Sequence, residues 1–372
     1  SPAPCYAAHC LLSQDKIYFK KKASHYEPRS EVQVAEIKHQ LEVQEQKNRE
    51  KSEFINHLKQ ALAGEKINWS DRERIRLESI EKIALQTDTS SKVAQEILKE
   101  AGKNFDSQGA FQLLVDIGWW SKHENLFLRR SSYPVNFSKK VLDVVQPRLQ
   151  SNSAKADENR LNLTHLKVCT IDDESTTEID VGLSIEYVDD SIAKIWIHIA
   201  DPTRLVAPGD ELDLEARRRS TSLYLPTGMV SMFPSELATG PMSLVQGQVC
   251  PALSFGVVLD ETGGIQEYEI HATLIKPTYR LTYDDVDEML QLGVQNEPEI
   301  ADLAQQAQLR RHWRKAQGSI QIKMPESIIK VKNNEEVTIE LIDSSPSRQL
   351  VAEMMILAGQ IGGKYGTEHN LS

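Results

Sequence analysis

Between Thr170 and Leu183 the chain reads Thr-Ile-Asp-Asp-Glu-Ser-Thr-Thr-Glu-Ile-Asp-Val-Gly-Leu, a run of acids and hydroxyls between apolar stretches. Acids packed this closely suit a hard cation. Mg²⁺ takes oxygen ligands, often one or two carboxylates with water and substrate phosphates completing the set. If the segment from Asp172 to Glu178 folds back, Asp172, Glu178 and Asp180 can converge on one point. Like charges held together raise one another's pKa, and a divalent cation relieves that strain. Such an ion would polarise a phosphate, generate a hydroxide nucleophile and neutralise a leaving group. A solvated acidic hairpin loop is the other reading these residues leave open.

Strands must position those acids. His165 to Ile171 reads as one strand, and Ile179, Val181, Leu183, Ile185 and Tyr187 alternate with polar or small residues, the period of a half-buried strand. From 161 to about 290 the texture is mainly β, with strands expected at 165–171, 179–188, 193–200, 253–260 and 265–276. A helix from Pro298 to Ala316 follows, carrying Arg310, Arg311, His312, Arg314 and Lys315, the most basic patch in the chain. Strands at 320–323 and 328–332 then lead to an apolar helix over Arg348 to Gly359.

Upstream the chain reads as helical. Residues 1–30 carry little signal beyond a strand at Ile17-Tyr18-Phe19, and 32–62 is helix-like and highly charged, its basic residues facing either solvent or a polyanion. Ser70 and Glu73 form a capping box for the next helix. A second carries Val93, Ala94, Ile97 and Leu98 on one face and stops at Gly102, and a third carries Phe111, Leu114 and Val115 and stops at Gly118. Trp119-Trp120 and Leu126-Phe127-Leu128 are expected to form a short hairpin, making a winged-helix-like module that either touches nucleic acid or only packs on neighbours. The fold class expected is α+β. Its parts are a partial N-terminal segment (1–49), a helical winged-helix-like domain (50–150), a polar linker (151–160) and a mixed β-rich domain (161–372).

Composition narrows the function classes. The 372 residues carry a net charge of −11, with 40% apolar and 26% charged residues, as in a soluble globular protein. At ~150 residues per domain that means two or three domains. No apolar run approaches the ~20 residues of a membrane span. Cys5, Cys10, Cys169 and Cys250 include no CxxC pair, which fits a reducing compartment without a zinc site or disulfide framework. The acidic balance argues against a non-specific polyanion binder and leaves room for a local basic groove. The chain opens on Ser1 and stops soon after an apolar helix, so a fragment or processed form of a longer protein is expected.

Several residues outside the acidic run could serve a nucleic acid. Arg217-Arg218-Arg219 lies a few residues before Tyr224, and Tyr279 and Tyr283 flank Arg280. Aromatics interleaved with arginines build single-strand grooves, because bases stack while guanidinium groups hold phosphates. Arg219, Tyr224, Arg280 and Tyr283 are therefore candidate residues for binding a single-stranded nucleic acid: each tyrosine alone reads more readily as packing, but together with the acid cluster they favour a nuclease. His198, between Ile197 and Ile199, reads as a structural histidine rather than a ligand.

Together these stretches fall in a known order. Thr170-Ile171-Asp172, Glu178-Ile179-Asp180-Val181-Gly182-Leu183, Ile197-His198-Ile199-Ala200-Asp201-Pro202, Arg217 to Pro226, Met232-Phe233-Pro234, Leu281-Thr282-Tyr283, Gln317-Gly318-Ser319-Ile320 and Glu353-Met354-Met355 follow one another as in the catalytic (RNB) domain of ribonuclease II. The chain resembles that family over roughly residues 50–372. With Trp69-Ser70, Leu113 to Gly118 and Leu163 to Val168 it is most similar to the ribonuclease II of plant chloroplasts and mitochondria.

The resemblance implies a processive, Mg²⁺-dependent 3′→5′ exoribonuclease that releases nucleoside 5′-monophosphates from single-stranded RNA. Its setting would be organellar RNA maturation, rRNA included, and decay, in chloroplast, mitochondrion or both. It also implies that Asp172, Glu178 and Asp180 bind metal, with Asp172 and Asp180 catalytic, and that Tyr224 and Tyr283 meet the terminal nucleotides. Four departures from the family pattern stand out: Val181 where a second consecutive aspartate is usual, Glu178 where Asp is usual, Ile322 where a stacking Phe is common, and an end before the family's catalytic arginine motif and S1 domain. They keep in view a catalytically inactive RNA-binding protein on the same fold. A structural acidic β-domain with no RNA partner is a third reading.

Overall fold

Helix caps set most boundaries in the first part of the chain. The computed structural model describes residues 2–371 apart from 24, 89, 132, 151–157, 190, 191, 294–296, 323, 325, 333–335 and 343. It divides into two compact units, Ser1–Ser132 and Tyr133–Ser372. In the first unit, helix α1 (Pro2–Gln14) precedes an antiparallel pair, β1 (Phe19–Lys21) and β2 (Tyr26–Pro28). Helix α2 (Glu31–Leu62) opens on a capping box of Ser30 and Gln33 and buries only Phe54, Leu58 and Ala61, so most of its charged length is solvated. Then come α3 (Asp71–Ala84), with the expected box of Ser70 and Glu73, α4 (Lys92–Glu100) behind Ser91, and α5 (Ser107–Asp116) behind Asp106.

Phe54, Leu77, Ile80, Leu98, Leu113, Leu114 and Trp120 meet in one core. Each fully buried aliphatic or aromatic side chain there contributes about 1.5–3 kcal/mol.

The expected hairpin over Trp119-Trp120 and Leu126–Leu128 is not formed. Residues Leu126–Arg130 are helix α6, capped by Asn125, whose Oδ1 accepts from Leu128 N at 2.9 Å. Both tryptophans instead donate Nε1–H to Glu81 Oε1 on α3, at 2.7 and 2.9 Å. The unit's antiparallel pair lies in residues 19–28: the strand expected at Ile17-Tyr18-Phe19 is shifted to β1, Phe19–Lys21, and its partner β2 was not foreseen.

The second unit is organised by a seven-stranded mixed sheet. Its strands are β3 (Leu161–Asn162), β4 (Val168–Asp172), β5 (Val181–Asp189), β6 (Ile192–Ala200), β9 (Cys250–Leu259), β10 (Ile265–Ile275) and β11 (Pro277–Thr282), in the order β11-β4-β5-β6-β9-β10-β3. The two outermost pairings, β11 with β4 and β10 with β3, are parallel; the others are antiparallel.

Alternation along the strands makes two buried faces. On one, Leu183, Ile185, Ile195, Ile197 and Val257 pack against helices α10 (Tyr283–Leu292), α11 (Pro298–Ala316) and α12 (Pro346–Glu368) through Val286, Leu303, Leu350, Met354, Leu357 and Ile361. On the other, Trp196 joins Val168, Leu244, Cys250, Ala252 and Ile275. A buried polar chain shares that second face: His198 bonds Ser184 Oγ at 3.0 Å and Ser254 Oγ at 2.7 Å, and Ser254 meets Thr273 at 2.6 Å. Burial pushes the His198 pKa down to about 3, so the ring stays neutral and serves the structural role its position suggested.

Further elements surround the sheet. Helices α7 (Lys139–Gln150), α8 (Glu211–Arg219) and α9 (Ser235–Ala238) share a core of Val141, Val145, Leu212 and Leu237, and β7 (Leu223–Leu225) pairs with β8 (Gly228–Val230). Residues 320–322 form no strand, and Lys323 lies outside the described residues. The strand expected at 328–332 is β12 (Glu326–Lys332), paired with β13 (Glu336–Ile342). The terminal apolar helix starts two residues earlier than expected and runs to Glu368. Most of the expected linker, 151–157, is outside the described residues. Among the described residues no helix is long and apolar enough to cross a membrane.

Candidate metal and nucleic-acid site

The acidic segment is a loop leaving one strand and entering the next. Asp172 ends β4, and β11 runs beside it in parallel, placing Thr282 opposite Asp172. β4 and β5 pair only at Cys169 and Leu183, so the strands part beyond that point and leave room for the loop. Ile179 anchors the return. It is buried, its N–H donates to Ser243 Oγ at 2.9 Å, and its carbonyl accepts from Leu244 N at 2.9 Å. Asp180 then enters β5, its carbonyl accepting from Ala200 N at 2.8 Å. Gly182 is required just beyond, because a Cβ there would stand 2.8 Å from Val168 Cγ1.

The carboxylates feel one another. Burial, then the charge of Asp180, lifts the Asp172 pKa to about 6 against the partial relief of Arg280. Asp180 is exposed by area, yet enough protein surrounds it that desolvation, and then Glu178, raise its pKa too. Among the described residues neither Asp172 nor Asp180 accepts a side-chain hydrogen bond. Glu178 is differently placed: Ser231 Oγ donates to it at 2.5 Å and Ser222 Oγ at 3.4 Å, while Ser222 itself accepts from Met232 N.

The expected three-ligand convergence is therefore corrected. Among the described residues no group of three His, Cys, Asp or Glu side chains is placed to hold a metal ion. Asp172 and Asp180, repelling and without hydrogen-bond partners, do fit a cation that takes one or two carboxylates and fills its shell with water and phosphate.

The metal-free chain carries a signature of this arrangement. The Asp172 carboxyl has an ordinary pKa of 3.8 when unfolded and one near 6 when folded, so the folded protein holds that proton more tightly. Stability from this group is complete below about pH 4 and is lost as pH rises through about 6. We expect thermal melts in EDTA to show a fall over that window that is absent in Asp172→Asn. A variant that tracks the unaltered chain across the window would contradict the coupling.

The aromatic and basic candidates separate. Tyr224 on β7 is 68% exposed, and burial and the charges of Asp180, Glu178 and Asp172 raise its phenol pKa, which places it beside all three acids. Tyr283, the first residue of α10, is near Asp172, but Arg348 covers its ring at 4.0 Å and it packs on the helix-side core. Arg280 braces the loop by donating to the carbonyls of Glu174 and Thr176.

Arg219 is turned inward, which corrects the expectation that it meets RNA. Its side chain is buried, donates to Glu215, Ser231 O and Asn136 O, and lies 3.7 Å over the Phe137 ring. The basic patch of α11 is also engaged internally: Arg310 is fully buried and donates to Gly263 O, and Arg314 makes two bonds to Glu353, at 2.9 and 2.6 Å. Ile322 is 78% exposed.

Sequence reasoning passed over Ser222 and Ser231, which hold Glu178, and Arg348, which bonds Asp173 Oδ1 at 2.8 Å. Ser222 lay inside the motif already read, Arg217 to Pro226, and was the findable one. The partner of Arg348 is 175 residues away and left no local trace.

Comparison with known proteins supplies the frame. The RNB domain family matches residues 160–372, a double helix-turn-helix domain of ribonuclease II matches 34–126, and the ribonuclease II winged helix domain matches 1–33. An uncharacterized ribonuclease of Synechocystis sp. is 57% identical over 371 residues, covering 100% of this chain and 56% of that protein. The ribonuclease II, chloroplastic/mitochondrial, of Arabidopsis thaliana is 39% identical over 391 residues, covering 100% of this chain and 49% of its own. The chain thus spans about half the length of the curated relatives it matches. Two solved structures share the fold. The Dss1 exoribonuclease of Candida glabrata has a TM-score of 0.68 at 20% identity, over 86% of this chain and 44% of that one. Mycoplasma genitalium RNase R in complex with double-stranded RNA has 0.61 at 19%, over 66% and 45%.

Proposed function

The chain belongs to the RNB family, and from that premise we propose that it is the metal-binding, RNA-engaging part of a 3′→5′ exoribonuclease that removes nucleoside 5′-monophosphates from single-stranded RNA. The observation that carries this reading is the pair Asp172 and Asp180 at the loop's two ends, where burial first and then the charge of Asp180 raise the Asp172 pKa, with no side-chain hydrogen-bonding partner among the described residues to offset it. A site that unfavourable when empty is suited to a cation brought or completed by a phosphate.

Asp172 and Asp180 would hold Mg²⁺, which when bound supplies Lewis-acid polarisation of the scissile phosphate and a hydroxide nucleophile. The chain's own residues do the rest of the positioning. Ser222 and Ser231 keep Glu178 oriented beside Asp180. Arg280 fixes the loop backbone through its carbonyls. Tyr224 presents an open ring beside the acids, where a terminal base can stack for about 1–3 kcal/mol.

An organellar role in RNA maturation and decay draws its support from the 39% identity to the Arabidopsis protein. Val181 favours a second reading, an RNA-binding protein with impaired chemistry, because its side chain packs on the helix-side core and adds no third carboxylate.

The test is release of 5′-mononucleotides from 5′-labelled single-stranded RNA by a protein joining this chain to the remaining length of its Synechocystis relative. Stepwise shortening from the 3′ end with Mg²⁺, abolished by EDTA, is expected. Tight RNA binding without shortening would favour the second reading.

A further inference from the structure

Arg348 differs from three buried or doubly bonded arginines of its unit. Arg219, Arg310 and Arg314 are occupied by acceptors inside the fold. Arg348, in the first turn of α12, spends one Nη2–H on Asp173 Oδ1 at 2.8 Å, and among the described residues its remaining guanidinium donors have no partner. Both members of that pair are open to water, with side chains 30% and 47% exposed, and an exposed ion pair contributes little to stability. The guanidinium carbon lies 4.0 Å from the centre of the Tyr283 ring, a cation–π contact that holds the head group in place independently of Asp173. Tyr283 in turn lies within electrostatic reach of Asp172, so the guanidinium on its ring stands near that acid.

We propose that Arg348 is a phosphate-binding residue for the RNA backbone and that Asp173 is its resting counter-ion, displaced when RNA arrives. This inference rests on the exonuclease reading above and adds a residue and an exchange to it. A phosphodiester offers the guanidinium fork paired charge-assisted bonds, which a single carboxylate oxygen does not. The ring contact keeps the guanidinium at this place while Asp173 leaves and phosphate enters. Tyr283 then acts in RNA binding as the shelf under a guanidinium rather than as a platform for a base.

Two roles for the pair predict opposite signs. If the contact is only a brace between the acidic loop and α12, Arg348→Gln and Asp173→Asn break the same bond and shift RNA affinity the same way. If Asp173 competes with phosphate, Arg348→Gln weakens binding and Asp173→Asn strengthens it.

The experiment measures affinity of the 372-residue chain for a single-stranded oligouridylate over a salt series, without Mg²⁺ so that no RNA is cut. Arg348→Gln is expected to lower affinity about 3- to 10-fold and to flatten the slope of log K against log salt by about 0.7, the value for one single-strand phosphate. Asp173→Asn is expected to raise affinity about 2- to 5-fold. Arg348→Lys should keep the slope while losing part of the affinity, since it keeps the charge and loses the plane. Shifts of the same sign in Arg348→Gln and Asp173→Asn, or an unaltered slope in Arg348→Gln, overturn the exchange and leave the exonuclease reading standing. No salt-dependent affinity in the unaltered chain overturns both.

Discussion

Asp180→Asn, in the protein extended to the length of its Synechocystis relative, is expected to cut Mg²⁺-dependent nucleotide release about 10³-fold while raising metal-free thermal stability. The loss follows from removing one of two carboxylates offered to the cation, and single preorganised electrostatic groups at reacting phosphates or oxyanions are worth about 10²–10³ in rate. The gain follows from the same pair. With the Asp180 charge gone, the Asp172 pKa moves back towards the ordinary carboxylate range, and the repulsion that the empty site stores is released. Because Asp180 is exposed by area, solvent screens much of that repulsion, and a rise of about 2 °C in EDTA is the size to look for. Calorimetry with and without Mg²⁺, run beside the release assay, reads both effects. A variant that loses activity and stability together would mean that Asp180 supports the fold rather than a cation.

Val181→Asp is expected to act in the reverse sense. Val181 opens β5, is partly buried, and packs on the helix-side core with Leu183 and Ile185. Exchanging it for a carboxylate loses apolar contact and adds a third negative charge beside Asp180, so metal-free stability should fall by about 1–3 kcal/mol. No three acids are now placed to hold an ion among the described residues, and position 181 directly follows Asp180 in the chain. We expect Mg²⁺ to recover most of the lost stability, and nucleotide release in the extended protein to rise at least about 10-fold over the unaltered sequence. Unchanged release with no Mg²⁺-dependent recovery would show that 181 is purely a packing position and that two carboxylates suffice.

How far the sequence reached depended on whether the signal was local. β6 was legible because residues 193–200 alternate, β10 because 265–276 is apolar-rich and follows the turn signal at 260–264, and the box of Ser70 and Glu73 marked α3 within one residue. The mistaken hairpin came from reading Leu126-Phe127-Leu128 by its apolar content. Asn125 was an available helix-start signal, and the bonds of Trp119 and Trp120 to Glu81, 38 and 39 residues away, were not visible.

The site divided the same way. The acids sat in one short motif and could be picked out together, but how each is held depended on distant groups. Ser231, 53 residues from Glu178, donates to that side chain and sets its orientation, which no local motif could show. Arg219 looked like a groove residue because a run of arginines precedes a tyrosine; Glu215, one helical turn back, turned it inward. Strand β11 went unread because it follows β10 after a single residue and begins with Pro277, which masks the break between them.

That last strand sets a schedule for the protein's own manufacture. Asp172 lies between β5, which follows it in the chain within a few residues, and β11, whose Thr282 is opposite it in register. Arg280, on the same late strand, holds the loop carbonyls. On a ribosome adding about 5–20 residues per second, the roughly 110 residues between Asp172 and Thr282 take about 5–20 s to emerge. During that interval β4 has only its antiparallel neighbour, and the acid loop lacks its brace. Parallel pairing across such a separation is slow to form, so on a nascent chain the Asp172 end of β4 gains its second neighbour, and the loop its arginine brace, only late in synthesis.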